Sequence, residues 1–411
     1  MKSELLNKSE EFNSLLIKNS GVNIGEKEIT GSLFNLGNSF LVKRVIDKAL
    51  RGEKTTICAF GGSITQGAGF NCVPAADSGI KSDLPFKNYF DVVCDWFKEV
   101  LNADIAAVNA GIGATDTVIG THRLCADVLN HNPDLVILEW ACNDSVTMPY
   151  KQGTYESIIR KLLEKKIAVV MFSMATVTGG SSQELHEPLA KHYNLPMISY
   201  RDAFIGLEEY KYLTNDTVHP NVVGHALAGV ILNKYFECVL ISEGDLENTI
   251  PKATVHSEAT IYDGADVVNF SDIFEGRVEG VRLLDKGSFA LDTQKDSFAH
   301  FREYYGITAV YSDEYKPLVL EIEAVKTLFL LTYRNSVFTG ANFQIELDGN
   351  QIISQTFTCK HGGDNEQIEW HYHWATERIC YNEVPKKCVL KITPKNTNKD
   401  AFVRLYALLL S

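Results

Sequence analysis

The stretch ICAFGGSITQGAG at residues 57–69 decides how the N-terminal part of the chain is interpreted. A short apolar segment runs directly into two glycines, a serine and a polar turn. Such a turn either cradles a phosphate with its backbone N–H groups or exposes Ser63 so that its hydroxyl can react. A phosphate loop of the type GxxxxGK[ST] needs a lysine that is absent here, and the spacing GGxxxxGxG differs from the dinucleotide fingerprint GxGxxG. The stretch favours a reactive serine, with a helix-capping serine in a glycine-rich turn as the alternative.

Around this stretch, apolar runs alternate with segments of helical period. The predicted strands are 55–60, 103–108, 134–139, 167–173 and 196–200, and the predicted helices are 39–51, 86–101, 116–131, 154–166, 183–193 and 221–238. Apolar strands that alternate with helices are typical of βαβ units, which build a parallel sheet covered on both faces. Ligand sites in such sheets lie beyond the carboxyl ends of the strands. The turn that carries Ser63 follows the first strand and is therefore expected at that edge.

The pattern divides the chain into an arm at 1–35, an α/β domain at 36–240, a linker at 241–255 and an all-β sandwich at 256–411. The sandwich is predicted because the apolar segments after residue 256 are strand-like and are separated by turn signals, with little helical period. The predicted strands are 316–323, 326–333, 342–348, 387–393 and 402–410, and the predicted turns are 348–350 and 361–364.

Composition limits the function classes. A net charge of −13 argues against nucleic acid or an anionic membrane as the main partner and suits neutral ligands such as sugars. The N-terminus lacks the features of a signal peptide, and no apolar run reaches the roughly 18 residues of a membrane span. Nine scattered cysteines without a CxxC pair predict free thiols in a reducing cytoplasm and neither a zinc site nor another cofactor. Whether the chain forms a homo-oligomer is left open by the sequence.

A serine needs a base to take its proton, and His219 is the strongest candidate among eleven histidines. It lies in DTVHP at 216–220, between the last predicted strand of the α/β domain and the closing helix. Asp216, three residues earlier, could accept a hydrogen bond from the imidazole Nδ1 in a tight loop, as in a Ser-His-Asp triad. The alternative is that Asp216 caps a turn and His219 merely precedes a proline.

Two more turns follow predicted strands. NAGIGAT at 109–115 offers a backbone N–H from Gly113 or Ala114, and WACND at 140–144 offers the side-chain amide of Asn143. Each feature alone is usually structural. Together with Ser63 and His219, however, they place hydrogen-bond donors, a nucleophile and a base at one edge of the predicted sheet.

These four blocks, in this order, resemble the SGNH (GDSL-type) hydrolases over residues 38–240. The resemblance implies a three-layer, flavodoxin-like parallel-sheet domain in which Ser63 is the nucleophile, His219 the base and Asp216 its orienter. It further implies an oxyanion hole formed by the Ser63 N–H, a backbone N–H of the 113–114 turn (Gly113 or Ala114) and the Asn143 side chain. Two departures are GlyGlySer in place of GlyAspSer, and Ala141 where glycine is usual.

The domain order is similar to that of carbohydrate esterase family 17, whose members combine an SGNH domain with a carbohydrate-binding module. This similarity implies an esterase that deacetylates oligosaccharides, mannan- or xylan-derived. The alternatives are a lipase or thioesterase and a non-catalytic glycan-binding protein. In WHYHW at 370–374, alternation along a strand would place Trp370, Tyr372 and Trp374 on one face, either as a substrate-binding platform for sugar rings or as part of the sandwich core.

Overall fold

The computed structural model describes residues 2–144, 150–292, 306–310, 312–334, 343–355, 373–395 and 402–411. The chain divides into two compact units, Met1–Thr260 and Ile261–Ser411.

The first unit is an α/β domain. Its strands are β1 (Leu33–Asn35), β2 (Thr55–Gly61), β3 (Ile105–Gly111), β4 (Leu135–Glu139), β5 (Ala168–Ser173) and β6 (Met197–Ser199). Its helices are α1 (Lys2–Ser20), α2 (Glu26–Gly31), α3 (Phe40–Leu50), α4 (Ser63–Gln66), α5 (Tyr89–Leu101), α6 (Thr117–Asp127), α7 (Tyr150–Glu164), α8 (Gln183–His192), α9 (Tyr200–Phe204) and α10 (Val222–Ile241).

The strand order β1-β6-β5-β4-β2-β3 explains where a site can form. All neighbouring pairs from β2 to β6 are parallel, and β1 adds to β6 in the antiparallel direction. The parallel strands therefore have the doubly wound order 2-1-3-4-5. In this order the chain reverses its direction of winding between β2 and β4, and a crevice opens there beyond the strand ends.

The apolar strands are continuous because both faces of the sheet are buried. In β2, Ile57 and Ala59 face one core while Cys58 and Phe60 face the other. Helices α5 and α10 belong to the first core and helices α7 and α8 to the second. The predicted fold class, a parallel α/β domain followed by an all-β domain, is confirmed.

The N-terminal segment is helical. Helix α1 packs against α5 and α10, where the Trp96 Nε1–H donates to Ser9 Oγ at 2.8 Å and the Asn233 Nδ2–H donates to Asn13 Oδ1 at 3.0 Å. Both hydrogen bonds are buried, so these donors are satisfied within an otherwise apolar contact. The weak pattern that predicts only an arm at 1–35 reflects these buried polar side chains.

The segment after α10 is fixed to the first unit. Glu156, fully buried on α7, accepts hydrogen bonds from the backbone N–H groups of Val255 and His256, both at 2.7 Å. Helix α10 itself is long and apolar enough to cross a membrane by length and composition, yet 89% of its apolar 18-residue window is buried inside the protein. Its apolar surface is therefore explained by the core of the α/β domain.

In the second unit, every strand pairing among the described residues is antiparallel. The elements are β7 (Asp266–Asn269), α11 (Phe270–Phe274), β8 (Val281–Asp285), β9 (Ala290–Leu291), β10 (Ile307–Val310), β11 (Leu318–Arg334), β12 (Phe343–Leu347), β13 (Asn350–Gln355), β14 (His373–Pro394) and β15 (Phe402–Leu410). The strand order is β13-β12-β14-β11-β15-β10-β9, with β7 beside β15 and β8 beside β11.

Two predicted features of this unit, a pair of strands and a turn, can be compared with the structure. The predicted strands 316–323 and 326–333 are one strand, β11, whose register with β14 shifts on both sides of Val325. The turn predicted at 348–350 joins β12 to β13, and Asp348 and Gly349 both have positive φ (51° and 80°), as a type I′ hairpin requires. The turn predicted at 361–364 lies outside the described residues.

Candidate active site

Ser63 lies at the carboxyl end of β2, as the first residue of α4. The two preceding glycines are there because other chain segments approach closely. A Cβ on Gly61 would lie 2.3 Å from the carbonyl oxygen of Glu139, and one on Gly62 would lie 2.4 Å from Asn143 Oδ1. The glycines therefore bring the turn after β2 against the turn after β4, at the point where the sheet order reverses.

His219 stands between Ser63 and Asp216. Its Nε2 lies 2.8 Å from Ser63 Oγ, and its Nδ1 lies 2.7 Å from Asp216 Oδ2. An ionised carboxylate can only accept, so the proton is assigned to Nδ1, which leaves the Nε2 lone pair to accept the hydrogen of the Ser63 hydroxyl. The arrangement has the geometry of a nucleophile, a base and an orienting group.

The loop that carries Asp216 and His219 is held by its own hydrogen bonds. Asp216 Oδ1 accepts from the backbone N–H groups of Val218 and His219, both at 2.7 Å, and the Val177 N–H donates to the Thr217 carbonyl at 3.0 Å. Partial burial alone would raise the pKa of Asp216, but the bonds from the His219 ring and from the two backbone N–H groups outweigh it. The pKa is lowered, and the carboxylate stays ionised beside the imidazole.

Three donors for an oxyanion are predicted, and the structure places them around Ser63. The Ser63 N–H belongs to the first helical residue and has no acceptor within α4. The Asn143 side chain lies against Gly62, whose ideal Cβ would be 3.2 Å from Nδ2, the amide nitrogen that can donate to an oxyanion. The Gly113 N–H donates to Gln66 Oε1 at 2.7 Å, so it can serve an oxyanion only after leaving that partner. Ala114 next to it has a positive φ of 57°, an uncommon conformation for a residue with a Cβ. The choice between Gly113 and Ala114 stays open.

A second Asp-His pair anchors the turn of Asn143. Asp144 is 8% exposed, and its Oδ2 lies 3.0 Å from His186 Nε2. Its Oδ1 accepts from the N–H of Thr117 at 3.2 Å and from the hydroxyl of the same residue at 3.0 Å. Asp144 belongs to the block WACND, but nothing in the sequence indicates that His186 is its partner. This pair lies under the turn and fixes the backbone from which Asn143 projects.

Two further buried titratable residues near the site, Glu139 and His225, are not indicated by any sequence pattern. Burial raises the pKa of Glu139 to about 8. A hydrogen bond from the Ala141 N–H to Oε1, 3.2 Å long, lowers this pKa but does not outweigh burial. Burial lowers the pKa of His225 to about 4, so this ring is neutral. Its Nδ1 accepts from the Tyr89 N–H at 3.3 Å and its Nε2–H donates to the Ala68 carbonyl at 3.0 Å, which supports the turn after α4.

The predicted aromatic platform falls largely outside the described structure. Trp370 and Tyr372 lie outside the described residues, and Trp374 lies in β14, where only the backbone is described. Within the described ranges, no group of three or more His, Cys, Asp or Glu side chains is arranged to hold a metal ion.

The doubly wound sheet and the contacts of Ser63, His219 and Asp216 define a serine-type hydrolase domain. Residues 59–227, the segment that contains Ser63, Asp216 and His219, match the model of the GDSL-like Lipase/Acylhydrolase family. The protein is accordingly a carboxylic ester hydrolase.

Two solved structures share the fold of both units. A crystal structure of a two-domain esterase (CEX) active on acetylated mannans, co-crystallised with mannopentaose, has a TM-score of 0.73 at 23% identity and covers 93% of this chain and 97% of that chain. Another crystal structure of a two-domain esterase (CEX) active on acetylated mannans has a TM-score of 0.72 at 24% identity. The match covers 93% of this chain and 98% of that chain. These likenesses establish a common two-domain fold, consistent with the architecture of carbohydrate esterase family 17. No curated protein sequence is recognisably similar to the chain.

Proposed function

We propose that the protein is a serine esterase that removes O-acetyl groups from carbohydrates, with mannan- or xylan-derived oligosaccharides as substrates. The observation that carries the proposal is the hydrogen-bonded series from Asp216 through His219 to Ser63, with distances of 2.7 and 2.8 Å. The choice of a sugar ester is supported by the fold shared with an esterase active on acetylated mannans. The net charge of −13 also suits a neutral ligand better than a polyanion.

In the proposed mechanism, Ser63 Oγ attacks the carbonyl carbon of the acetyl ester while His219 Nε2 takes the hydroxyl proton. Asp216 stabilises the resulting imidazolium, and the donors around Ser63 hold the tetrahedral oxyanion. His219 then returns the proton to the departing sugar oxygen, which leaves an acetyl group on Ser63. Water, activated by the same base, hydrolyses this acyl-enzyme and releases acetate.

The decisive experiment is an acetate-release screen on acetylated manno- and xylo-oligosaccharides, with the deacetylated position followed by NMR. Ser63→Ala is the control, because it removes the nucleophile and retains the turn. We expect this variant to melt near the wild-type temperature and to lose nearly all turnover. If Ser63→Ala keeps wild-type activity, the nucleophile is misassigned.

Two further outcomes would replace the proposal. A preference for long acyl chains across a series of p-nitrophenyl esters would indicate a lipase or thioesterase. Binding of oligosaccharides without turnover of any ester would indicate a glycan-binding protein.

The aromatic residues of the second unit provide a separate test of substrate binding. If Trp370, Tyr372 and Trp374 form a platform for sugar rings, their replacement by alanine raises KM for acetylated oligosaccharides and leaves p-nitrophenyl acetate hydrolysis unchanged. An equal effect on both substrates, or a lower melting temperature, would assign these residues to the core of the unit. We further propose that the protein acts in the cytoplasm, without a nucleic-acid or membrane partner.

A further inference from the structure

Arg123 on α6 is a buried cation beneath the proposed oxyanion hole. Its side chain is 1% exposed, and its guanidinium lies 4.4 Å from the centroid of the Phe60 ring. Nη2 donates to the Gly61 carbonyl at 2.8 Å, and Nη1 donates to the Ala110 carbonyl at 2.7 Å. Asp127, one turn further along α6, lies 3.1 Å from Nη1. Burying a charge is costly unless it is paired and hydrogen-bonded, and these contacts meet that condition.

The two carbonyls belong to neighbouring strand ends. Gly61 is the last residue of β2 and Ala110 the penultimate residue of β3. Ser63, which supplies one oxyanion donor, follows Gly61 by two residues. Gly113, one of the two alternative backbone donors of the 113–114 turn, follows Ala110 by three residues. One planar guanidinium therefore bridges the bases of both donor-bearing turns.

The same two turns are also in direct contact with each other. The Ile112 N–H donates to the Gly61 carbonyl at 3.1 Å, and Asn109 Nδ2–H donates to the Thr65 carbonyl at 2.8 Å. A Cβ on Gly111 would lie 2.2 Å from the Gln66 backbone nitrogen, so the two segments approach as closely as backbones can. The separation of the donors thus depends on this junction, and Arg123 fixes it from the core side.

We propose that Arg123 is a positioning residue for ester hydrolysis, which holds the ends of β2 and β3 so that the N–H groups of the two turns converge on one oxyanion. The proposal rests on the esterase assignment and is independent of the identity of the sugar. Arginine suits the role because its rigid fork can reach two carbonyls at once, whereas lysine presents a single point charge. Loosening a preorganised donor set by a fraction of an ångström lowers the rate of the chemical step while leaving substrate contacts in place.

The test compares Arg123→Lys with Arg160→Lys in the full chain. Arg160 is a matched control, because it is also largely buried, donates to a backbone carbonyl (Pro251, 3.1 Å) and has an acidic residue, Glu164, four positions later. Arg160 lies on α7 and also donates to the Tyr193 hydroxyl at 3.2 Å, so its partners are outside the turns that carry Ser63 and Gly113. Activity is measured as kcat and KM on p-nitrophenyl acetate, normalised to the active sites titrated with an organophosphate, and stability is measured by thermal melting.

We expect both variants to melt lower than the wild type, and only Arg123→Lys to lose kcat, by at least about 10-fold with KM within about 2-fold. A kcat loss in Arg123→Lys that does not exceed the loss in Arg160→Lys overturns the proposal. A rise in KM with unchanged kcat also overturns it, since it would place Arg123 in ground-state binding.

If Arg123→Lys does not fold, the double variant Arg123→Met, Asp127→Leu takes its place. Replacing a buried ion pair by apolar side chains of similar volume is often neutral for stability, so this variant removes the clamp with little loss of packing. A folded double variant with wild-type kcat overturns the proposal, and one with the kcat loss stated above supports it. Failure of the esterase assignment itself would be recognised separately, as an inactive wild-type protein.

Discussion

Gly69 provides the sharpest test of the geometry around His219. It has a φ of +86°, and a Cβ built there would lie 2.2 Å from the Pro220 carbonyl oxygen and 3.4 Å from His219 Cβ. Ordinary van der Waals contact begins at about 3.4 Å. In Gly69→Ala the two backbone segments must therefore separate by about 1.2 Å, the difference between 2.2 and 3.4 Å. Because the clashing atom belongs to the backbone, a change of side-chain rotamer gives no relief.

The displaced segment carries the base. His219 Nε2 lies 2.8 Å from Ser63 Oγ, and a misplacement of about 1 Å at a reacting centre can cost about 10²-fold in rate. The left-handed backbone conformation adds a cost of about 1 kcal/mol for a residue with a Cβ. We expect Gly69→Ala to lower kcat by about 10²-fold and to lower the melting temperature.

Gly79→Ala is the matched control. Gly79 lies ten residues further along the same connection and also has a positive φ, +71°, but no heavy atom lies within 4 Å of its Cβ position. The control therefore carries the conformational cost without the clash. Both variants are assayed on p-nitrophenyl acetate and by thermal melting. Equal kcat values for Gly69→Ala and Gly79→Ala would refute the claim that this contact positions His219.

Three other variants test the site. Asn143→Ala removes one oxyanion donor and should lower kcat by about 10²–10³-fold at similar KM; unchanged kcat would remove Asn143 from the oxyanion hole. Asp216→Asn keeps an acceptor for the loop but favours the wrong His219 tautomer. Because the Asp216 side chain is 47% exposed, we expect a kcat loss of about 10³-fold, below the roughly 10⁴-fold of a buried triad, and a loss under tenfold would contradict the assigned role. The raised pKa of Glu139 means that the folded state retains a proton that the unfolded state releases above 4.5, so the free energy of unfolding should fall as the pH rises from 4.5 to about 8. Denaturant titrations at pH 6 and 8.5 should show this decline in the wild type and less of it in Glu139→Gln; parallel declines would contradict it.

The meeting of Ser63 and His219 could be predicted from the sequence, although 156 residues separate them. Parallel strands present all their carboxyl ends at one edge, so residues that follow different strands become neighbours whatever their separation in the chain. The apolar runs of β2, β3 and β4 identify the strands, and a polar turn after each marks the edge. The short spacing from Asp216 to His219 likewise makes their pairing a local property.

Other contacts depend on which side chains the packed core brings to a given carbonyl or carboxylate. Arg123 reaches carbonyls 13 and 62 residues away, and His186 reaches Asp144 over 42 residues. In the sequence each is an ordinary polar residue within a helix. The hydrogen bond from the Gly113 N–H to Gln66 Oε1 is likewise not predictable from the sequence, because it depends on how closely two glycine-containing turns approach each other.

The sequence by itself determined the order of strands and helices, the edge at which the reactive groups meet and the local pairing of Asp216 with His219, since periodicity and spacing follow directly from residue type. Only the tertiary structure decided which buried polar groups support that edge. Their partners come from distant parts of the chain, and a buried charge or amide is stable only where the folded backbone supplies an acceptor or donor within hydrogen-bond distance.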